Sequence, residues 1–317
     1  MLHVRVIAPP SVSARVQQLL ADDGAVTHLV VLPGAATSPA GDVVECDVVR
    51  EGASHVLDCL RGLGVDRDGA IIVENVDATM SASADRAARH TPGLGVDAVV
   101  WNEIEQQTGE ETALSASFLT FMSVATVIAA VGVLLDQPIL IVGSMVVGPE
   151  FGPLAALCIG LVQRKFALVR RSAVALVVGF PIGMLVTVIA VWLLTAAGLV
   201  DKSMLLADRP LTEFIWRPDA LSWVIGFLGG IAGILSLTSA KAGTLVGVLI
   251  SVTTVPAAAN AAVALAYGVS NEAYGSAVQL AVNLASIVIG GVLTLLVQHL
   301  AWKRPRRTAN HAGAQGR

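Results

Sequence analysis

The sequence predicts a polytopic α-helical membrane protein with a small α+β domain at its N-terminus, on three observations. The 317 residues are 55% hydrophobic and 14% charged, with a mean hydropathy of +0.73, a composition that belongs to integral membrane proteins. Charge is divided along the chain: residues 1–112 hold seven Lys and Arg against 17 Asp and Glu, and the remainder holds 13 against seven. After residue 112 the apolar stretches lengthen to the ~20 residues of helix that a bilayer crossing needs.

The first elements follow from periodicity. Leu2, Val4 and Val6 alternate with His3 and Arg5 as in a half-buried strand, and Val12, Val16, Leu19 and Leu20 recur at helical spacing until Asp23-Gly24. Val26 to Leu32 reads as a second strand ended by Pro33-Gly34, and Asp42 to Val49 as a third. Ala53, Val56, Leu57 and Leu60 form a second helix, before a fourth strand through Ala70 to Val73. The order βαββαβ is that of the ferredoxin-like split unit, expected over residues 1–78 as a cytosolic domain. Domains of this kind serve as ligand sensors or pairing modules, so a small-molecule ligand or a second copy of the chain is an expected partner; the fold alone assigns neither. Its acidic balance speaks against nucleic acid. No phosphate loop, nucleophile elbow or metal-ligand spacing occurs, so no cofactor, metal or enzymatic activity is expected. His28 and His55 read as ordinary side chains. Cys46, Cys59 and Cys158 read as small buried apolar residues, neither a disulfide framework nor a zinc site.

Residues 79–112 read as a linker. Ser81 to His90 is a short polar helix, and Val100, Trp101 and Ile104 share one face of a second helix that lies at the headgroup level or packs on the soluble domain.

Residues 113–302 are expected to hold six spans: about Ala113 to Leu135, Pro138 to Val162, Leu168 to Ala197, Leu221 to Leu237, Gly243 to Tyr267 and Gly275 to Trp302. Met1 to Leu32 has no secretory leader pattern, so the N-terminus is expected in the cytosol. Arg164, Lys165, Arg170, Arg171, Lys241 and the basic tail of residues 303–317 then all fall inside, and only Lys202, Arg209 and Arg217 fall outside. This asymmetry predicts an inner-membrane protein with both termini cytoplasmic. Gly-x-x-x-Gly pairs at Gly179, Gly226 and Gly243 predict close helix packing within or between subunits of a homo-oligomer.

One stretch departs from a plain apolar span. Between Pro138 and Val162 the sequence reads Gly143-Ser144, then Gly148-Pro149-Glu150-Phe151-Gly152-Pro153. Each proline lacks an amide donor and disfavours helical geometry in the residue before it, so Gly148 and Gly152 are expected to leave the helix. The stretch places a carboxylate and opened backbone near mid-membrane, which is tolerated only where protein or a wet cavity surrounds them. Two readings stand: a substrate or ion path, or a kinked packing helix whose Glu150 is protonated and hydrogen-bonded to a neighbour.

The first three spans slide onto the last three at a constant offset. The shift pairs Val142-Gly143 with Val246-Gly247, Ala155 with Ala259, and Ser172-Ala173-Val174 with Ser276-Ala277-Val278. Three spans per half make the halves inverted. Thr253, Thr254 and Pro256, with Ser251 before and Asn260 after, then fall opposite the first break. Paired interruptions in inverted halves point to a transporter site, whereas hydroxyls there also serve to cap carbonyls freed by Pro256.

The run Gly143-Ser-Met-Val-Val-Gly-Pro149-Glu-Phe-Gly152-Pro153, with Pro138 before it, resembles the pattern of the bacterial and archaeal hydrophobic proteins grouped as domain of unknown function 389. The likeness covers about Ser115 to Leu300. It implies a multispanning membrane protein, often with a soluble N-terminal domain, and no established activity. Glu150 stands where an apolar residue is expected and Ser144 where alanine is usual. A mechanism common to the family would therefore rest on Gly143, Pro149, Gly152 and Pro153.

Two functions compete on these grounds: a small-solute or ion transporter or channel with a cytosolic regulatory domain, and a membrane-anchored ligand sensor or oligomeric scaffold without transport. A water-reachable Glu150 favours the first and a dry bundle the second.

Overall fold

The structure is a computed structural model that describes residues 1–76, 79–91, 108–109, 112–217, 220–238 and 254–302. The expected helix around Trp101, the basic tail, and Ser251 and Thr253 lie outside the described residues. The chain divides into two compact units, one centred on residues 1–104 and one on residues 105–297.

The first unit is built from β1 (Leu2–Ala8), α1 (Ser13–Asp22), β2 (Val26–Thr37), β3 (Ala40–Val48), α2 (Arg50–Gly62), the single turn α3 (Val65–Asp68), β4 (Ala70–Asn75) and α4 (Ala82–His90). The sheet is antiparallel throughout, in the order β2-β3-β1-β4, which is the pairing that the βαββαβ order predicts. Leu2, Val4, Val6, Val44, Cys46 and Val48 form its inner face, and Val16 and Leu20 of α1 and Ala53, Val56 and Leu60 of α2 cover that face. β2 continues past Pro33, where a strand end was expected. It is the edge strand, so a proline costs the sheet no ladder bond, and the register shifts between Leu32 and Ala36 absorb it. Burial pushes the Cys46 thiol up to about 12, so it behaves as an inert apolar group. Cys59 departs from expectation: it is half-buried, with its Sγ 3.7 Å from His55 Nε2.

The second unit is helical. Its elements are α5 (Ala116–Leu134), α6 (Pro138–Val147), α7 (Phe151–Val162), α8 (Phe166–Ala196), the short α9 (Lys202–Leu206), a 3₁₀ turn at Glu213–Ile215, α10 (Ala220–Thr238), α11 (Val255–Ala266) and α12 (Ser270–Trp302). Among the described residues α5, α8, α10 and α12 are long and apolar enough to cross a membrane, and α6 and α7 form a pair bent by 57°. The fifth expected span is described only in its second half, α11.

The ends of the helices explain the tight turns. Asp136, Arg164, Gly198 and Gly268 all adopt left-handed geometry. After each, an amide reaches back five residues: Gln137 N to Gly132 O, Lys165 N to Gly160 O, Leu199 N to Leu194 O, and Val269 N to Ala264 O. These are Schellman closures, which satisfy orphan carbonyls and reverse the chain within a few residues.

The direction of each helix follows from its contacts. Phe118 packs on Gly179 and Phe180, Thr126 lies beside Gly183, and Leu134 packs with Val191, so α5 and α8 run parallel. The α6–α7 pair leaves the end of α5 and returns to the start of α8. It must therefore traverse the bundle, as one broken crossing and not a loop that turns back. Likewise Gly226 meets Ser286, Gly230 meets Ile287 and Ile234 meets Gly291, so α10 and α12 are a second parallel pair.

Candidate functional site

The break between α6 and α7 has its cause in the prolines, with one correction. Gly148, which precedes Pro149, is extended at φ −62° and ψ 126° and ends α6, as expected. Gly152 does not leave the helix: α7 already begins at Phe151. Pro153 falls in the first turn, where the missing amide would have had no intrahelical partner, so the helix tolerates it. The two Gly-Pro steps thus make one corner, with Glu150 at the N-cap of α7.

Glu150 is fully buried, and Thr254 Oγ1 donates a hydrogen bond of 3.0 Å to its Oε1. Its Oε2 packs close to Gly148, where an added Cβ would stand 2.5 Å from it and 3.1 Å from Val255. A side chain at 148 would fill the place of the carboxylate, which gives that glycine a steric reason. Thr254 is the N-cap of α11, and Pro256 occupies the first turn of that helix just as Pro153 does in α7.

Not every expected residue joins this centre. Ser144 is buried, but its hydroxyl bonds back to Ile141 O at 2.6 Å within its own helix. Gly143 lies on the exposed face of α6, with nothing near the position of a Cβ. Pro149 is half-buried beside Glu150, and Gly152 and Pro153 are buried in the first turn of α7. Asn260 is buried too, but belongs to a second centre.

That second centre was not anticipated. Arg209, in the segment between α9 and the 3₁₀ turn, is 7% exposed; its Nη2 donates to Glu272 Oε1 and its Nη1 lies 3.3 Å from Asn260 Oδ1. Asn260 Nδ2 donates to Glu272 Oε1 at 3.1 Å and to Ser276 Oγ at 2.7 Å. Thr212 and Glu213 amides bond Arg209 O, and Thr212 Oγ1 donates to Asp136 at 2.9 Å, which anchors the segment to the end of α5. In the sequence Arg209 counted only as a basic loop residue. From Glu272 the buried polar face of α12 continues through Ser276, Gln279, Asn283, Ser286 and Thr294. The first steps of this row, at alternating four- and three-residue spacing, are the one signal in the sequence that could have revealed it.

In the first unit, His28 has a positive φ of 53° within a register shift of β2. The bulge aims its ring along the sheet: Nδ1 lies 2.6 Å from Asp47 Oδ2 and Nε2 lies 2.7 Å from Ser81 Oγ, while His3 Nδ1 lies 2.9 Å from Asp47 Oδ1. Burial acts to raise the Asp47 carboxyl, but the hydrogen bonds and charge of the two histidines outweigh it and leave it below the usual carboxylate range. His28, an exposed side chain, ties the sheet to the start of α4 through these hydrogen bonds.

A bundle of long apolar helices crossed by a broken one, with a buried carboxylate at the break, defines a polytopic membrane protein. Residues 145–289 match the family described as Domain of unknown function (DUF389). The chain is also similar to an uncharacterized protein of Methanocaldococcus jannaschii, 25% identical over 181 residues. That match covers 56% of this chain and 54% of the relative, so the chain spans about half the length of the curated relative it matches. No solved structure matches the chain.

Proposed function

We propose that the chain is a small-solute or ion transporter of the cell membrane, built from two inverted three-span halves that meet at Glu150 and Thr254, with the N-terminal domain as a cytosolic regulator. The observation that carries this reading is the buried Glu150–Thr254 pair at the break, since a carboxylate held among apolar helices is costly and marks ion paths and proton relays.

The repeat is supported by element boundaries. Shifting α5 (Ala116–Leu134) by the 104 residues that separate Glu150 from Thr254 gives α10 (Ala220–Thr238), and the same shift takes α7 (Phe151–Val162) to α11 (Val255–Ala266) and the start of α8 to the start of α12. The left-handed Arg164 and Gly268 stand at the same offset. Residues related by a two-fold axis touch one another only near that axis, so a bond between two equivalent positions suits a site at the centre of the repeat. The six crossings expected from the sequence, an even number, and the basic residues of the 163–171 turn and the tail support cytoplasmic termini in a bilayer. The small-residue helix faces are also compatible with a homo-oligomer.

The reading is tested in a background without native cysteines. A cysteine at Glu150 or Thr254 is expected to react with a membrane-impermeant thiol reagent from one side, while a cysteine at the exposed Ile189 is not. Glu150→Gln is expected to change the cation dependence of flux and leave folding nearly intact. Inaccessibility of both positions in every condition, with no flux altered by Glu150→Gln, favours the sensor or scaffold instead. That second reading rests on the open face of the sheet, where Val30, Leu32 and Ile72 are exposed beside the His3–Asp47–His28 group.

A further inference from the structure

The polar face of α12 has different properties on the two sides of Asn283. α11 and α12 form an antiparallel hairpin whose register is set by the bond from Asn260 to Ser276. Thr254 lies six residues before Asn260; six residues after Ser276 is Val282. At ~1.5 Å of rise per residue, Asn283 therefore stands at nearly the depth of Thr254, and so of Glu150. Gln279 is one turn nearer the Arg209 end.

Toward that end the polar groups have unmet capacity. Gln279 is 3% exposed and its Oε1 has no hydrogen-bond partner among the described residues. A buried acceptor without a donor costs about 1–3 kcal/mol, so a cation or water is called for there. Toward the other end the hydroxyls of this row are satisfied within α12, and the unmatched Gln298 Oε1 lies a further turn beyond Thr294, near the end of the helix. The Ser286 and Thr294 hydroxyls bond back to Asn283 O and Gly290 O. Backbones touch as well: a Cβ on Gly230 would stand 2.2 Å from Ile287 O, and one on Gly290 2.2 Å from Phe227 O.

We infer that a hard monovalent cation of the sodium class enters from the Arg209–Glu272 end, passes Gln279, and is held at the depth of Glu150, Thr254 and Asn283, with the α10–α12 glycine contact closing the far side. The groups along this route, a carboxylate, amide oxygens and hydroxyls, are hard oxygen donors that suit such a cation and not a soft metal. A single carboxylate at the inner end matches one positive charge, whereas divalent sites gather several. This inference rests on the transport reading and adds the ion, the side of entry and the residues of the route.

The experiment uses the full chain purified in detergent, with thermal unfolding followed in sodium chloride against choline chloride of equal ionic strength. Sodium is expected to raise Tm saturably, since a ligand that binds only the folded state stabilises it. Glu150→Gln is expected to abolish the shift, Gln279→Leu to weaken sodium affinity about tenfold, one lost charge-assisted contact, and Thr294→Val to leave it unchanged. Lower pH is expected to move the sodium midpoint upward as protons compete. If Glu150→Gln does not fold, Thr254→Val and Gln279→Leu carry the comparison. An equal shift in choline, no shift in either salt, or an undiminished sodium shift in the Glu150 and Gln279 variants overturns the inference. Failure here with Glu150 still reachable by thiol reagents leaves transport standing with a different cargo; inaccessible positions remove the transport reading itself.

Discussion

The two longest helices, α8 and α12, bury their inner faces by opposite means. On α8 the buried row is Ser172, Ala175, Gly179, Gly183 and Thr187, and α5 approaches it so closely that a Cβ on Gly179 would stand 2.7 Å from the Phe118 ring. The Ser172 and Thr187 hydroxyls return to carbonyls of their own helix, so this face is self-satisfied and dry. On α12 the row is Glu272, Ser276, Gln279 and Asn283; Glu272 and Ser276 bond across to Arg209 and Asn260, and Gln279 Nε2 lies 3.4 Å from Asn283 Oδ1 on the same helix. Without a hydrophobic driving force in lipid, small residues gain packing and polar residues gain specific partners. One face packs through small residues, while the other carries polar groups that bind partners on neighbouring segments.

The sharpest way to break that contrast is Arg209→Ala. Removing the guanidinium leaves Glu272 buried without its cation, a loss of about 3–5 kcal/mol. Thermal unfolding of the purified protein should show it, and Glu272→Gln in the same chain should recover part of the loss. If Arg209→Ala is neutral, the pair is reached by water and the polar end of α12 is not buried.

Gly230→Ala tests the adhesive side of α12. The added methyl meets the Ile287 carbonyl at 2.2 Å, so the helices must separate, at about 1–3 kcal/mol. Gly183→Ala on α8 should cost less, because its neighbours, Met122 Cγ and Thr126 Oγ1 at 3.1 Å, are side-chain atoms that can shift. A reversed order would mean that α5–α8 is the more rigid contact.

Gln279→Leu should change stability by no more than about 1 kcal/mol in sodium-free buffer, since removing an acceptor that lacks a donor offsets the loss of the long 3.4 Å bond from its Nε2 to Asn283 Oδ1. Clear destabilisation would show that Gln279 is a packing residue and that α12 resembles α8 after all.

The smallest expected effect lies in the first unit. Asp42, held by Ser13 and the Gly34 amide, and Asp47, held by the two histidines, both lie below the ordinary carboxylate range. Their contribution is present above the unfolded value and is lost as pH falls through the lowered folded one. Hydrogen exchange in the full chain should show β3 losing protection in acid, below pH ~4, and Asp47→Asn should flatten that loss.

What was legible in the sequence is what acts within a few residues along the chain. Alternation and helical spacing placed β1, α1, β3 and α2; apolar length placed the long helices; Pro149 placed the corner at Gly148. These are local sterics and solvent partition, written in neighbours. The same local rule misplaced the end of β2 and the state of Gly152, because whether a proline is tolerated depends on its position, at a sheet edge or in a first helical turn, which assembly decides. Glu150 and the Thr254 region were legible as paired interruptions through the constant offset, but the bond between these two side chains was not. Arg209 read as a loop charge, and its burial against Glu272 and Asn260 came only with the fold. A side chain's partner is chosen by which segments the packed helices bring together, 51 residues apart for Arg209 and Asn260 and 104 for Glu150 and Thr254, and no local pattern carries that choice.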